Sequence, residues 1–460
     1  MKLDSFYPYP KPYRISIPNS YTLFKNKNLR KLRPITSYSS HPYSRVFNAA
    51  ARALNFILDN AVVSHLNLPK ICDFKEKINE MNGKLSTVNY NYLSMTGDLA
   101  NMYTSLDHSS IRKAVRWLLF DTSKTVRERK CVSVPVSSND NNTTFGKSMA
   151  SDNSKITLTY DELIDIMNFD LNNSVFTVGN TTKQQKCGIP MGSPLSPALA
   201  VIVCAYYEHL IFEKLRSYKF STWTNKVLGV RYMDDVFSVV THDGTNVSKH
   251  RAKEILKWFE FGYHKNMTLE CEDTSIPFKF LSSTMTAVDG SPITYEYYNK
   301  NIDSIISTST QKFLTFQHYG SLAPKAQKRS VIVSSLHRLC MNSNSKSDFE
   351  NASIDLHTEL TLLKYPDKIF RDALLRVYAH DRYINLPGTP SDITTPEISF
   401  PVDNTPTEVP APIDEHVYVP AEMDNDLSTL ERESSRTFLT MFANLGNRLA
   451  NIRAASNNPT

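Results

Sequence analysis

Two runs of β-branched and aromatic residues, Val227–Met233 and Val236–Val240, flank the adjacent acids Asp234 and Asp235. Such residues favour strands, and the short connection between them predicts a hairpin whose turn carries both carboxylates. Hard oxygen ligands fixed on a turn suit Mg²⁺. An Asp-Asp pair in a turn is more often simply solvated, so the hairpin alone does not establish a metal site.

A third acid lies upstream of the hairpin. Asp98 closes an apolar segment and precedes apolar residues at helical spacing, among them Ile111 and Val115. Two metal ions about 4 Å apart, one at a 3′-hydroxyl and one at a triphosphate, need bridging carboxylates from separate strands. Asp98 and Asp234 are therefore predicted to bridge, with Asp235 assisting.

Between these acids lies a loop of small residues and prolines, residues 187–197, with the sequence Cys-Gly-Ile-Pro-Met-Gly-Ser-Pro-Leu-Ser-Pro. Small residues let a flat group approach the backbone. The apolar stretch Ala198–Leu210 predicts a buried helix, with Ser196 as its N-cap and Pro197 at its first position. A loop that starts a helix is also the simplest structural interpretation, and it is compatible with ligand binding.

The three segments, in this order, resemble those of a reverse transcriptase. The resemblance implies an α+β right-hand polymerase with fingers, a palm of antiparallel sheet and helices, and a helical thumb. It makes Asp98, Asp234 and Asp235 the catalytic residues. They would hold two Mg²⁺ ions, for which Mn²⁺ can substitute, with Leu99 also in the metal-binding set.

The resemblance also implies nucleotide-binding residues. Tyr103 matches the aromatic residue that blocks a ribose 2′-hydroxyl, which favours deoxynucleotides by steric exclusion. Arg33 matches an arginine that grips the triphosphate, because planar paired donors suit phosphate oxygens, and Lys31 is the second choice. The other nucleotide-binding positions lie in the loop: Pro190, Met191 and Gly192. Primer or template contacts are expected at Gly188, Phe280, Leu281, Lys325, Lys328 and Arg329.

Downstream segments are similar to those of Penelope-like elements, and the similarity spans roughly residues 20 to 380. Residues 267–281 and 295–300 carry it, together with the spacing of Asp98 and its neighbours. Two positions depart from that family, with Ser282 in place of Asp and Ala323 in place of His. That family often carries a GIY-YIG endonuclease after the polymerase, and no segment here resembles one.

The resemblance and the composition together suggest five regions. They are fingers at 1–97, a palm at 98–309 with a flexible insertion at 136–155, a thumb-like helical region at 310–384, an acidic proline-rich disordered linker at 385–426, and an amphipathic C-terminal helix at 427–460. The linker contains eight prolines and nine acids without Lys or Arg, too polar a composition to fold. The last helix is expected to dock on a protein partner or on the body rather than on a membrane.

Charge supports nucleic-acid partners. The chain has net charge +6, and removing −9 for residues 385–426 and +2 for 427–460 leaves +13 on the first 384 residues. So basic a body can follow a phosphate backbone, although moderate positive charge also simply aids solubility. The expected partners are an RNA template, a DNA or RNA primer and deoxynucleoside triphosphates.

Six scattered cysteines without zinc spacing, and no evident signal peptide or membrane span, suggest a soluble intracellular protein, without distinguishing nucleus, cytoplasm or organelle. Two other functions remain open. One is a dormant or domesticated remnant that only binds nucleic acid. The other is an RNA-dependent RNA polymerase, which Tyr103 argues against.

Overall fold

The computed structural model describes residues 18–25, 28–39, 41, 43–137, 140–146, 154–217 and 221–378. The chain divides into two compact units, Met1–Tyr295 and Glu296–Thr460. The first unit begins with β1 (Ser20–Lys25), β2 (Asn28–Thr36), α1 (Ser44–Asp59), α2 (Phe74–Ser86), β3 (Tyr92–Ala100), α3 (Met102–Ser105), α4 (His108–Arg116), α5 (Lys124–Arg129), β4 (Cys131–Pro135), β5 (Thr144–Phe145), β6 (Lys155–Thr159) and α6 (Tyr160–Asn172).

It continues with β7 (Val175–Val178), β8 (Thr181–Gln184), α7 (Ser196–Arg216), β9 (Val227–Tyr232), β10 (Asp235–Thr241), α8 (Asn246–Phe261), β11 (Thr268–Glu272), β12 (Phe278–Phe280), β13 (Ser283–Thr286) and β14 (Thr294–Tyr297). The second unit contains α9 (Ile302–Thr308), α10 (Lys325–Asn342), α11 (Lys346–Leu362) and α12 (Asp367–Tyr378). This mixture of helices and antiparallel sheets agrees with the predicted α+β class.

A four-stranded antiparallel sheet, in the order β11-β3-β10-β9, forms the centre of the first unit. Both of its faces are covered. Val236 and Val240 belong to the large core built with α1, α4, α6, α7 and α8, whereas Phe237 and Val239 belong to a second core with α2 and β12. Because successive strand residues point to opposite faces, a strand buried on both sides must be apolar almost throughout, as β10 is.

The helices predicted from apolar spacing are present. The helical spacing at Ile111 and Val115 corresponds to α4, and the buried helix after the loop is α7. Its predicted cap is wrong: the N-cap is Leu195, and the hydroxyl of Ser196 instead donates to the carbonyl oxygen of Pro190 at 2.8 Å. The loop leading into this helix therefore closes back on itself.

The segment 136–155, predicted as a flexible insertion, is partly built into the fold. Thr144–Phe145 forms strand β5 against β4, and the Phe145 ring packs against Phe56 with ring centroids 4.9 Å apart. Arg52 also donates to the carbonyl oxygen of Ser137 at 3.1 Å, and the Gly146 amide donates to the carbonyl oxygen of Cys131 at 2.9 Å. The polar composition did not reveal this anchoring because much of it is made by backbone atoms.

In the described part of the second unit, four helices follow β14, and the segment before them is tied to α11 by hydrogen bonds. Asn299 and Asn301 donate to the buried carboxylate of Glu359 in α11, at 3.0 and 2.7 Å. Thr315 and Gln311 donate to the same carboxylate. The segment before α9 thus belongs with the helices that follow it. Residues 379–460, including the predicted linker and C-terminal helix, lie outside the described residues.

Candidate active site

Strands β3 and β10 bring two of the predicted catalytic acids together. Asp235 is the direct cross-strand partner of Asp98, and on its other side Asp98 faces Glu270 of β11. Directly opposite residues of antiparallel strands point to the same face, so three carboxylates form a row across three strands. Like charges in direct opposition destabilise a sheet, and a bound cation would offset that repulsion.

The third predicted acid, Asp234, lies in the turn between β9 and β10. Its carbonyl oxygen accepts the Leu99 amide hydrogen at 2.8 Å, which joins the turn to the residue after Asp98. Within the residues that the structure describes, no three Asp, Glu, His or Cys side chains already converge on one point as metal ligands. The donor set still fits Mg²⁺ chemically, since hard carboxylate oxygens from two neighbouring segments are available.

Tyr103 lies beside these acids. It is half-buried against the large core, and burial, together with the nearby charge of Asp234, raises its pKa to about 12. Its hydroxyl therefore stays protonated at neutral pH. Tyr103 lies in α3, next to Met102. The sulfur atom of Met102 lies 3.9 Å from the sulfur atom of Cys204 in α7.

The loop before α7 is attached by its backbone to two other segments. The Ile189 amide donates to the Tyr103 carbonyl oxygen at 2.8 Å, and a Cβ added to Gly188 would lie 2.6 Å from that oxygen. On its other side, the Met191 carbonyl oxygen accepts the Thr36 amide hydrogen at 2.9 Å. Gly188 is thus needed for this close backbone approach, and the loop joins the end of β2 to the helix α3, which carries Tyr103.

The other predicted nucleotide-binding residues differ in accessibility. Pro190 is buried, whereas Gly192 is exposed. Arg33 lies on the exposed part of β2, opposite Leu23, three residues before the Thr36 contact. Arg33 takes no part in the hydrogen bonds that join the loop to Tyr103 and Thr36 or the hairpin turn to Leu99. Lys31 lies in the same strand, and its side chain falls outside the described residues.

A buried carboxylate that the sequence did not reveal supports the loop from behind. Asp170 of α6 accepts hydrogen bonds from Ser193 of the loop at 2.7 Å and from Tyr38, just after β2, at 3.0 Å. Burial raises the pKa of Asp170 to about 6. One side chain therefore links the two segments on which the predicted nucleotide-binding residues lie.

A second buried acid, Glu208 of α7, supports the hairpin through an ion pair with Arg231. Both side chains are fully buried. Glu208 was visible in the sequence as a charge inside an apolar helix, and a buried charge requires a partner.

The predicted primer and template positions are less uniform. Gly188 is buried and Phe280 lies in the second core with 2% exposure, while Leu281 is half-buried with a positive φ of 54°. In the second unit Lys325 and Arg329 are exposed. Lys328 is 4% exposed, and its ammonium group donates to the Tyr319 and Ser321 carbonyl oxygens at 2.6 and 2.7 Å. The Lys328 charge therefore points into the second unit and is hardly accessible from solvent.

No protein-family model matches the chain, and no curated protein matches it. Among solved structures, telomerase from Candida albicans, in complex with a fragment of telomeric RNA, is similar with a TM-score of 0.50 and 13% identity over 83% of this chain. The chain has a polymerase-like fold. It spans 63% of the length of that telomerase chain.

Two further solved structures have lower TM-scores. Telomerase from Candida tropicalis, also with a telomeric RNA fragment, has a TM-score of 0.44 and 12% identity, covering 80% of this chain and 55% of that one. The BmCPV RNA-dependent RNA polymerase at elongation state has a TM-score of 0.41 and 12% identity, covering 80% and 27%. In the described part of this chain, no helix is both long enough and apolar enough to cross a membrane.

Proposed function

We propose that the chain is an RNA-directed DNA polymerase that extends a primer 3′-hydroxyl with deoxynucleotides. The observation that carries the proposal is the pairing of Asp98 with Asp235 on neighbouring strands, beside a turn that holds Asp234. Acids in this arrangement suit phosphoryl transfer, in which positioning and charge stabilisation supply most of the catalysis. The polymerase-like fold supports the same chemistry.

Asp98, Asp234 and Asp235, with the Leu99 carbonyl group, would hold two Mg²⁺ ions or Mn²⁺ in their place. Bound there, the ions would stabilise the transferring phosphoryl group and make the primer hydroxyl a better nucleophile. The primer oxygen forms a bond to the α-phosphorus, the bond to the β-phosphate oxygen breaks, and pyrophosphate leaves. The proton of the primer hydroxyl passes to a solvent water molecule in the same step.

The protein's other residues bind and select the nucleotide in this proposal. Arg33 on the exposed end of β2 pairs with the triphosphate, where a guanidinium can make two parallel hydrogen bonds. The backbone of the loop at Met191 and Gly192 packs against the nucleotide. Tyr103 excludes a ribose 2′-hydroxyl by its bulk. Lys325 and Arg329 contact the phosphate backbone of the template or primer.

We further propose that the enzyme derives from a retroelement of the Penelope-like kind. Support comes from the downstream segments around residues 267–281 and 295–300. Ser282 and Ala323 stand where that family has Asp and His, so these two positions separate this chain from typical members.

Primer extension by the purified full chain on a poly(rA)/oligo(dT) duplex, with dTTP and Mg²⁺, tests the function. We expect wild type to extend the primer and Asp98→Asn or Asp234→Asn to lower the rate at least about 100-fold, because each removes a charged ligand. The matched control is Asp165→Asn, which changes an exposed acid of α6 and should leave the rate unchanged.

Two results would contradict the proposal. One is wild-type extension that survives loss of Asp98 or Asp234. The other is absence of extension with either Mg²⁺ or Mn²⁺, accompanied by salt-sensitive duplex binding, which would favour a dormant nucleic-acid-binding remnant.

A further inference from the structure

Arg231 is the largest of the fully buried side chains described, and it lies in β9 only three residues before Asp234. A guanidinium removed from water is strongly unfavourable unless all its surroundings are arranged to receive it. What receives Arg231 therefore indicates what the residue does.

Its first partner is Glu208 in α7. The Arg231 Nε atom lies 2.5 Å from Oε1 of Glu208, and Nη2 lies 3.4 Å from Oε2. The carboxylate also accepts the Tyr263 hydroxyl at 2.9 Å and the Leu66 amide at 2.9 Å. Burial by itself would lower the pKa of Arg231, but the charge of Glu208 more than reverses this and keeps the guanidinium protonated.

The remaining arm of the guanidinium reaches the hairpin turn. Nη1 of Arg231 donates to the carbonyl oxygen of Met233 at 3.1 Å. Met233 has a φ of +56°, a left-handed conformation that costs a non-glycine residue about 1–2 kcal/mol. The bonded carbonyl belongs to the peptide unit that joins Met233 to Asp234, so the contact fixes the plane of that peptide.

We propose that Arg231 is a positioning residue that orients the Met233–Asp234 peptide, with Glu208 and Tyr263 holding the guanidinium in place. By fixing this peptide it sets the direction of the Asp234 side chain and keeps the Asp234 carbonyl oxygen on the Leu99 amide. This positioning role rests on the proposed function. It adds that catalysis requires a fixed orientation of the peptide that precedes Asp234.

A simple core ion pair is the competing explanation, and the two can be separated. Apolar or neutral groups of similar volume often replace a buried ion pair without loss of stability. In the variant Arg231→Met/Glu208→Gln neither charge of the pair remains. The amide oxygen introduced at position 208 can accept from the Leu66 amide, while its NH2 group donates to the Tyr263 hydroxyl oxygen. If the pair only fills the core, this variant recovers everything that wild type has.

The experiment compares wild type, Arg231→Met, Arg231→Met/Glu208→Gln and the surface control Arg251→Met, whose exposed pair with Glu254 contributes little. We expect the single variant to lose thermal stability and the double variant to regain it. In the double variant we expect kcat to stay at least about tenfold low while KM for the duplex changes less than about twofold.

Hydrogen exchange gives a measurement that needs no activity. Exchange of the Leu99 amide should be at least about tenfold faster in the double variant than in wild type, because its acceptor is the Asp234 carbonyl oxygen. The amide of Val240, at the far end of the sheet, should exchange as in wild type.

The outcomes separate the two proposals. A double variant with wild-type stability, kcat and Leu99 exchange would overturn the positioning role. If the double variant does not fold, Arg231→Lys serves in its place. Lysine keeps a positive charge beside Glu208 but lacks the second planar arm that reaches Met233. Unchanged exchange of the Leu99 amide in Arg231→Lys would also refute the positioning role. An inactive wild type would count against the proposed function, while exchange at Leu99 would still decide the positioning claim.

Discussion

Gly192→Ala is a direct test of how the loop before α7 is seated. Gly192 has a φ of +138°, and a Cβ at this position would lie 2.0 Å from the carbonyl oxygen of Thr36. That oxygen belongs to backbone, which cannot rotate away as a side chain could. The end of β2 would have to move away from the loop. This movement would break the hydrogen bond from the Thr36 amide to the Met191 carbonyl oxygen.

The magnitude follows from two terms. A residue other than glycine in so restricted a backbone region costs about 1–3 kcal/mol. Loss of the Thr36–Met191 hydrogen bond adds about 1 kcal/mol. We therefore expect Gly192→Ala to lower the free energy of unfolding by about 2–4 kcal/mol in all, from these two sources.

Gly146→Ala is the matched control. Gly146 also has a positive φ, +95°, but no atom lies within 4 Å of the position that a Cβ would take. It therefore reports the conformational term without the collision. Urea unfolding of both variants should show the larger loss for Gly192→Ala, and its KM for dTTP should rise several-fold because β2 carries Arg33. Equal unfolding free energies and an unchanged KM would refute this account of the loop.

Three further predictions concern other residues. Burial raises the pKa of Asp170 to about 6 from 3.8, so the folded state binds its proton more readily than the unfolded chain does. The stability from Asp170 is thus fully present below about pH 4 and falls by roughly 3 kcal/mol as pH rises through 6. Asp170→Asn should remove this slope from unfolding measured between pH 4 and 7, and a retained slope would contradict the assignment. Lys328→Met should destabilise the second unit by about 1–3 kcal/mol without changing the salt dependence of duplex binding. Lys325→Ala should instead reduce the salt slope of duplex binding by about one and leave stability unchanged. The reverse pattern would show that Lys328 contacts the nucleic acid. Tyr103→Ala should improve the use of UTP relative to dTTP in primer extension by at least about tenfold, or about 1.4 kcal/mol, and unchanged selectivity would exclude Tyr103 as the sugar filter.

The hairpin and the main helices could be predicted because their signals are local. The apolar runs on either side of the Asp pair become β9 and β10, and the apolar stretch Ala198–Leu210 lies within α7. Each pattern needs only neighbouring residues to be recognised. That Asp98 shares a site with the two hairpin acids was inferred differently, from the needs of a two-metal site and from the resemblance in the order of motifs, since nothing local connects residues so far apart. The direct pairing of Asp98 with Asp235 is visible only in the structure.

The supporting residues behind the site could not be predicted in that way. Tyr38 and Asp170 are 132 residues apart, and Leu66 and Glu208 are 142 apart. Neither acid has a neighbouring pattern that announces its partner. Glu208 did carry a usable signal, since it lies in the apolar helix α7 and a charge there must be paired or exposed.

Lys328 shows the opposite difficulty. It lies in a basic helix whose charges predict a nucleic-acid surface, and two of its neighbours, Lys325 and Arg329, are exposed as expected. Only the tertiary structure reveals that the Lys328 ammonium group turns inward to two carbonyl oxygens. A count of charges along a helix does not distinguish these two fates.

The helix α7 connects the three segments from which the function was inferred. Its first turn holds the loop through Ser196 and Pro190, Cys204 touches the residue before Tyr103, and Glu208 holds the hairpin through Arg231. Ser196 and Glu208 are 12 positions apart, about 18 Å along a helix, so one rigid element spans the site. The segments that carry the chemistry have recognisable sequence motifs. The element that holds them in position relative to one another is an apolar helix with one buried acid. Variants that alter this acid should therefore disturb catalysis without touching any residue that meets the substrate.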